Sequence, residues 1–170
     1  MATMAQKFDF AAGDYVVYPA HGVGRIEGIE TLNISDQEVN LYTVCFEKDR
    51  MRLKVPVNKA KNSGLRRLSS RERLKAAMET IQGKAKVKRS VMWSRRAQEY
   101  EAKINSGDPV SIAEVLRDLK RSPEQSEQSY SERQIFQSAL DRLARELAAV
   151  EKIDEAKAAR QLEAALTGAA

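Results

Sequence analysis

The residues best suited to chemistry lie in one stretch, Lys84-Ala-Lys86-Val-Lys88-Arg89-Ser90-Val91-Met92-Trp93-Ser94-Arg95-Arg96. Six of its thirteen side chains are cationic, none is acidic, and the only tryptophan of the chain sits among them. The chemistry on offer is non-covalent. Cations neutralise phosphates, and a large flat ring can press against bases, so the combination suits a protein that grips duplex backbone and wedges a base step. The same pattern also fits a solvated charged face beside a core tryptophan. The elements around the stretch must therefore be read before its role is.

Charge placement favours a polyanionic partner at one locus. The chain of 170 residues carries a net charge of +5. Residues 1–64 are neutral, residues 65–108 net +7, and residues 109–170 net −2. The surplus is thus confined to the segment that holds the tryptophan. One histidine and one cysteine exclude a metal site of ordinary spacing and an internal disulfide, and no cofactor is expected. His21 and Cys45 are the one pair from which a nucleophile and its base could be imagined. Cys45 falls in an apolar strand-like run and His21 in a turn, so they read as a small buried hydrophobe and a turn residue, and no enzyme is expected. A polar start from Met1 to Phe10 lacks the apolar centre of a signal peptide, and no apolar run is long enough to span a bilayer. A cytoplasmic protein is the expectation, and a lone cysteine fits a reducing compartment.

From residue 8 to about 68 the apolar period is two, punctuated by glycine and proline. Tyr15–Tyr18, Val23–Glu30, Val39–Phe46, Met51–Val55 and a last short piece within Leu65–Leu68 read as strands, with Glu47–Arg50 as a hairpin turn. Gly24 and Gly28 allow bends or close backbone approach. Met51, Leu53 and Val55 share one face, which leaves Arg52 and Lys54 outward. Those cations either guard an edge strand against aggregation or meet an acidic partner that adds its own strand. Five short strands with tight turns predict a small, bent β-barrel of the SH3/Tudor kind.

From Ser69 onward the period becomes 3.6. Ser69-Ser-Arg-Glu72 predicts a capping box before a helix that carries Leu74, Ala77, Met78 and Ile81 and stops at Gly83. Ser90 is placed to cap a helix over Val91–Ser106, closed by Gly107, with Trp93, Ala97, Tyr100 and Ile104 on one face. Asp108-Pro109 starts a third helix that runs to about Arg121. Ser122–Ser129 reads as a loop, and Ser129-Tyr-Ser-Glu132 as a second capping box, before a helix to about Val150 that stacks Phe136, Leu140, Leu143, Leu147 and Val150. Asp154 caps a last helix through Leu166, and Thr167–Ala170 should fray. The class is α+β: a small barrel followed by a five-helix bundle.

Four segments in series then acquire a joint meaning. Gly13-Asp-Tyr-Val-Val-Tyr-Pro-Ala-His-Gly22-Val-Gly, Val55-Pro56, Met92-Trp-Ser-Arg-Arg96 and Ala113-Glu-Val-Leu-Arg-Asp-Leu119 resemble the CarD/CdnL family of bacterial transcription regulators, from about Phe8 to Leu166. The resemblance implies a Tudor-like domain over 8–68 that binds the β subunit of RNA polymerase, like the polymerase-binding module of the transcription-repair coupling factor. It also implies a helical domain over 69–166 that contacts promoter DNA at the upstream edge of the melted bubble and stabilises the open complex. On that resemblance the wedge tryptophan is Trp93, its arginine neighbours are Arg95 and Arg96, and the contact is in the minor groove; the basic stretch itself adds Lys86, Lys88 and Arg89 as expected DNA contacts. The polymerase-facing positions are Lys54, with Arg52 beside it, and Leu32, where the family can carry an arginine. The expected partners are RNA polymerase and promoter DNA, read largely without regard to sequence, by a monomer. Two rival readings use the same residues: an RNA- or ribosome-associated Tudor-type binding protein, and a scaffold that binds protein only.

Overall fold

Alternating apolar and polar residues after Gly13 yield five antiparallel strands: β1 (Tyr15–Tyr18), β2 (Gly22–Ile34), β3 (Gln37–Phe46), β4 (Met51–Pro56) and β5 (Arg66–Arg67). The structure is a computed structural model and describes residues 9–47, 50–60, 62–86, 91–120 and 130–167. It divides after Arg67 into two compact units, described here in turn.

In the first unit the strand order is β4-β3-β2-β1-β5. Val16, Ile26, Tyr42, Val44, Phe46 and Val55 project to one side, where Phe10, Ala60 and Leu65 complete the core. β2 and β3 are longer than the sequence pattern suggests, because their outer halves form a hairpin with little core beneath it. Ser35 and Asp36, at φ 51° and 63°, make its two-residue turn, a geometry that favours residues tolerant of the left-handed region. A register shift between Ile26 and Gly28 bends β2 over the core. Gly24 is required for close approach: a Cβ there would lie 2.7 Å from Val44 Cγ1 and 2.8 Å from Phe46 Cε1.

The expected barrel does not close. Among the described residues no ladder joins β4 to β5, and β5 pairs only with β1 through two residues. Pro56, which has no N–H to donate, ends β4, and a 3₁₀ turn over Val57–Lys59 then takes the chain away from that edge. The result is an open, bent sheet with β4 at its edge.

The second unit contains α1 (Arg71–Gln82), α2 (Trp93–Asn105), α3 (Pro109–Leu119), α4 (Tyr130–Glu151) and α5 (Glu155–Leu166). Their apolar faces meet in one core that includes Leu74, Ile81, Tyr100, Val115, Leu116, Leu143 and Leu162. Ser70, not Ser69, caps α1 by accepting from the Arg73 N–H at 3.1 Å. Ser69 lies one residue too early and donates its own N–H to the buried Glu146 carboxylate at 2.9 Å. At the other end of α1, Lys120 Nζ donates to the carbonyls of Ile81 and Gly83, serving acceptors a helix C-terminus leaves unpaired. α2 begins two residues later than expected, after Met92, which provides no side-chain cap. The proposed caps Ser90 and Ser129, the polar residues Lys48 and Asp49 between β3 and β4, the loop from Ser122 to Ser129 and the end after Thr167 lie outside the described residues.

Asp108 caps α3 and illustrates how charge is used structurally. Its carboxylate accepts from the Ser111 N–H and hydroxyl and from the Arg73 guanidinium, the last at 2.7 Å. Partial burial opposes ionisation, but hydrogen bonds from Arg73 and Ser111, with the Arg73 charge, outweigh it and hold the carboxyl below the usual aspartate range. A depressed folded-state pKa stabilises the fold above the unfolded value, near 3.9, and that stabilisation is lost as pH falls through the folded value. Asp108→Ala should therefore cost about 1–2 kcal/mol at pH 7, as loss of an N-cap does. The difference from wild type should shrink as the pH is taken below about 4. Urea titrations of both proteins at a series of pH values check this; a gap that stays constant to pH 2 would show that the carboxylate charge plays no part.

Candidate functional site

Trp93 is the first residue of α2 and is half-buried, so one part of its ring packs on the helical core while the rest meets solvent. Three contacts hold it. The indole N–H donates to Ser131 Oγ at 3.3 Å, from the first turn of α4. The ring lies 6.2 Å from that of Tyr100, tilted by 49°. The Arg96 guanidinium sits over the indole at 5.4 Å and over Tyr100 at 5.8 Å. A helix brings these together because residues 93, 96 and 100 follow one another at three- and four-residue steps along one face.

The neighbouring cations differ in surroundings. Arg95 is exposed, as are Lys84 and Lys86. Arg96 is half-buried against the two rings, and its Nη2 donates to the Tyr100 hydroxyl at 3.3 Å. Lys86 is held through its backbone, whose N–H donates to Asp118 Oδ1 at 2.9 Å. Asp118 is 8% exposed and also accepts from Arg117 Nε at 2.9 Å. One buried carboxylate on α3 thus pins the start of the basic segment while the lysine side chain points out. Lys88 and Arg89 lie outside the described residues. Met92, beside Trp93, and Tyr130, beside Ser131, are among the most exposed large apolar side chains, at 76% and 71%.

On the sheet unit, Arg52 and Lys54 do project outward from the edge strand, but neither is a free charge. Arg52 Nε pairs with Glu27 at 2.9 Å and Lys54 Nζ with Glu30 at 2.9 Å, each pair reaching from β4 across β3 to β2. The hydrogen bond and charge of Lys54 hold the Glu30 carboxyl below the usual range. Leu32, 40% exposed, lies further along β2 on the hairpin, two residues before Ile34, 56% exposed. Sequence reasoning missed Glu27 and Glu30 because their pairing depends on a register across three strands. It missed Ser131 because nothing in the chain signals a contact 38 residues away.

The remaining candidate chemistry is quiet. Burial, with Glu27 alongside, pushes the Cys45 thiol up, which keeps it protonated and a poor nucleophile. His21 stacks on Tyr18 at 5.5 Å and lies against Phe46. No cluster of three or more metal-ligating side chains exists among the described residues, and no helix among them is long and apolar enough to cross a membrane.

Comparison with known proteins assigns both units. The CarD-like/TRCF RID domain matches residues 10–69, and the CarD C-terminal domain matches residues 67–163. The chain belongs to the CarD/CdnL family. A CarD-like relative, YdeB of Bacillus subtilis (strain 168), is named as a candidate transcription factor. It is 30% identical over 146 residues, spanning 86% of this chain and 95% of that protein. Among solved structures, the 72-residue N-terminal domain of Myxococcus xanthus CarD, determined by solution NMR, is 31% identical. It covers 39% of this chain and 89% of its own, with a TM-score of 0.31. CdnLNt from Myxococcus xanthus is 34% identical over 40% of this chain and 96% of its own, at 0.32. CarD proteins are transcription factors rather than enzymes, and this chain is a transcription regulator of that family.

Proposed function

We propose that the sheet unit, in the role of a Tudor-like module, docks on the β subunit of bacterial RNA polymerase. The helical unit then grips promoter DNA at the upstream edge of the bubble and stabilises the open complex. The observation that carries this is the half-exposed indole of Trp93, held by Ser131, Tyr100 and Arg96, beside the exposed cations Arg95 and Lys86. A ring that is held in place yet only half-buried can fill the gap of an unstacked step, while the cations engage phosphates without reading sequence. Lys88 and Arg89, outside the described residues, are proposed on charge alone as further DNA contacts. Anchoring on polymerase raises the local concentration of a weak DNA-binding unit, so the DNA contact needs little affinity of its own. The ring favours the open state only through its greater affinity for that state. The protein acts as a monomer in the cytoplasm, at the nucleoid through polymerase. Co-purification with polymerase, followed by open-complex lifetimes with and without the protein, tests the reading; no binding, or binding with unchanged lifetimes, sinks it.

Docking is assigned to the face carrying Arg52, Lys54 and Leu32. Lys54→Glu should weaken the polymerase complex several-fold, since a rim charge of reversed sign opposes association. The same change sets two carboxylates side by side at Glu30, so the companion variant Lys54→Glu/Glu30→Lys restores the intramolecular pair. Its fold stability should lie within about 0.5 kcal/mol of wild type, with polymerase affinity still reduced. Wild-type affinity in both variants would move the docking face elsewhere.

A further inference from the structure

Arg95 and Arg96 are neighbours in sequence and read alike there, yet only Arg95 stands in solvent. The Arg96 guanidinium lies over two rings, 5.4 Å from the Trp93 centroid and 5.8 Å from that of Tyr100. Its Nη2 donates to the Tyr100 hydroxyl at 3.3 Å. Its Nε is buried with no hydrogen-bond partner among the described residues. Turning outward to a phosphate would forfeit both ring contacts and the tyrosine bond. An orphaned buried N–H is a standing cost that an aliphatic side chain here would avoid. A flat cation is accommodated in spite of that cost, and it touches the indole together with the Tyr100 ring that lies beside it. From another element, Ser131 Oγ accepts the indole N–H at 3.3 Å.

We propose that Arg96 and Ser131 are positioning residues for Trp93: Arg96 lies over the face of the indole, Ser131 holds its N–H, and neither serves as a phosphate contact. This rests on the reading of Trp93 as a wedge. A ring already confined to one rotamer loses less freedom when it enters a base step, so more of its contact energy appears as stabilisation of the open state. The role also divides the arginine pair, leaving Arg95 as the phosphate contact and Arg96 as the support. Planarity matters for the support. A lysine preserves the charge but cannot lie flat against the tilted pair of rings.

That difference provides the test. The full-length Arg96→Lys and Ser131→Ala variants are compared with wild type, with Trp93→Ala as the reference for loss of the wedge. Because Trp93 is the only tryptophan, time-resolved fluorescence anisotropy of the free protein reports the mobility of this indole alone. Both positioning variants should show a larger fast component of depolarisation. With a bacterial RNA polymerase holoenzyme and a promoter fragment, both should shorten the open complex about two- to five-fold, the scale of one exposed cation–π contact for Arg96→Lys and of one exposed hydrogen bond for Ser131→Ala. The slope of DNA affinity against salt, measured on a fragment premelted at the upstream bubble edge, should remain that of wild type. Arg95→Ala should lower that slope by roughly one. Unchanged anisotropy in Arg96→Lys and Ser131→Ala overturns the proposal. So does full open-complex lifetime in Arg96→Lys combined with a lowered salt slope in Arg96→Ala, the signature of a phosphate contact. Should Trp93→Ala itself leave the lifetime unaltered, the wedge reading fails, and the anisotropy still decides whether Arg96 and Ser131 hold the ring.

Discussion

Trp93→Ala is expected to shorten the lifetime of open promoter complexes roughly five-fold or more, because base–aromatic stacking contributes about 1–3 kcal/mol per base. Closed-complex binding should change little, since Arg95 and Lys86 remain exposed and the sheet unit is untouched. The competing outcome is structural. A fully packed aromatic replaced by alanine costs about 3–5 kcal/mol of stability. Trp93 is half-buried at the start of its helix, and its hydrogen bond to Ser131 is exposed, so the stability loss should fall below that range. Thermal melting and open-complex lifetime measured on one preparation separate the two. A large fall in Tm with a normal lifetime would make the residue core and end its role as a wedge.

The second large effect is on stability alone. Leu116 is 0% exposed in the core of the helical unit. Leu116→Ala should cost about 2–5 kcal/mol, the transfer of the side chain plus the cavity it leaves. For a unit of this size that corresponds to a Tm lower by upwards of about 10 °C. The loss should be confined to the helical unit if the two units unfold independently, as the change of apolar period near Leu68 leads one to expect. Trp93 fluorescence follows the helical unit, and hydrogen exchange of the β2 and β3 amides follows the sheet. A parallel loss of protection in both would show one cooperative structure in place of two.

Periodicity alone makes most elements legible in the sequence. The Asp108-Pro109 start, the Asp154 cap and the Gly107 stop, with Gly107 at φ 71°, stand where local chemistry puts them. So does the clean alternation of β4, with Arg52 and Lys54 outward. Local signals failed where two neighbours offered the same chemistry. Ser69 and Ser70 are equally good caps by type, and the choice was settled by Glu146, distant in sequence, taking the Ser69 N–H. They failed again where closure depended on the far end of the sheet, since no window around Pro56 shows that β5 will be too short to meet β4. At the site, the tryptophan and its cations were apparent from composition. What holds them was not: Ser131, Asp118 and the different surroundings of Arg95 and Arg96 exist only once the helices are packed.

The paired charges on the outer face of the sheet have a consequence for the order in which contacts dissolve. A partner that approaches Lys54 or Arg52 finds each cation already bound to a carboxylate. Association there is an exchange of one exposed pair for another, and few counterions are set free. Any net gain must come from apolar contact, for which Leu32 and Ile34 are at hand. Engagement of phosphates by Arg95 and Lys86 is the opposite case, a release of condensed ions that steepens with every cation involved. Rising ionic strength should therefore peel the helical unit from DNA well before it loosens the sheet unit. On the proposed reading, a rise in ionic strength would release DNA before polymerase.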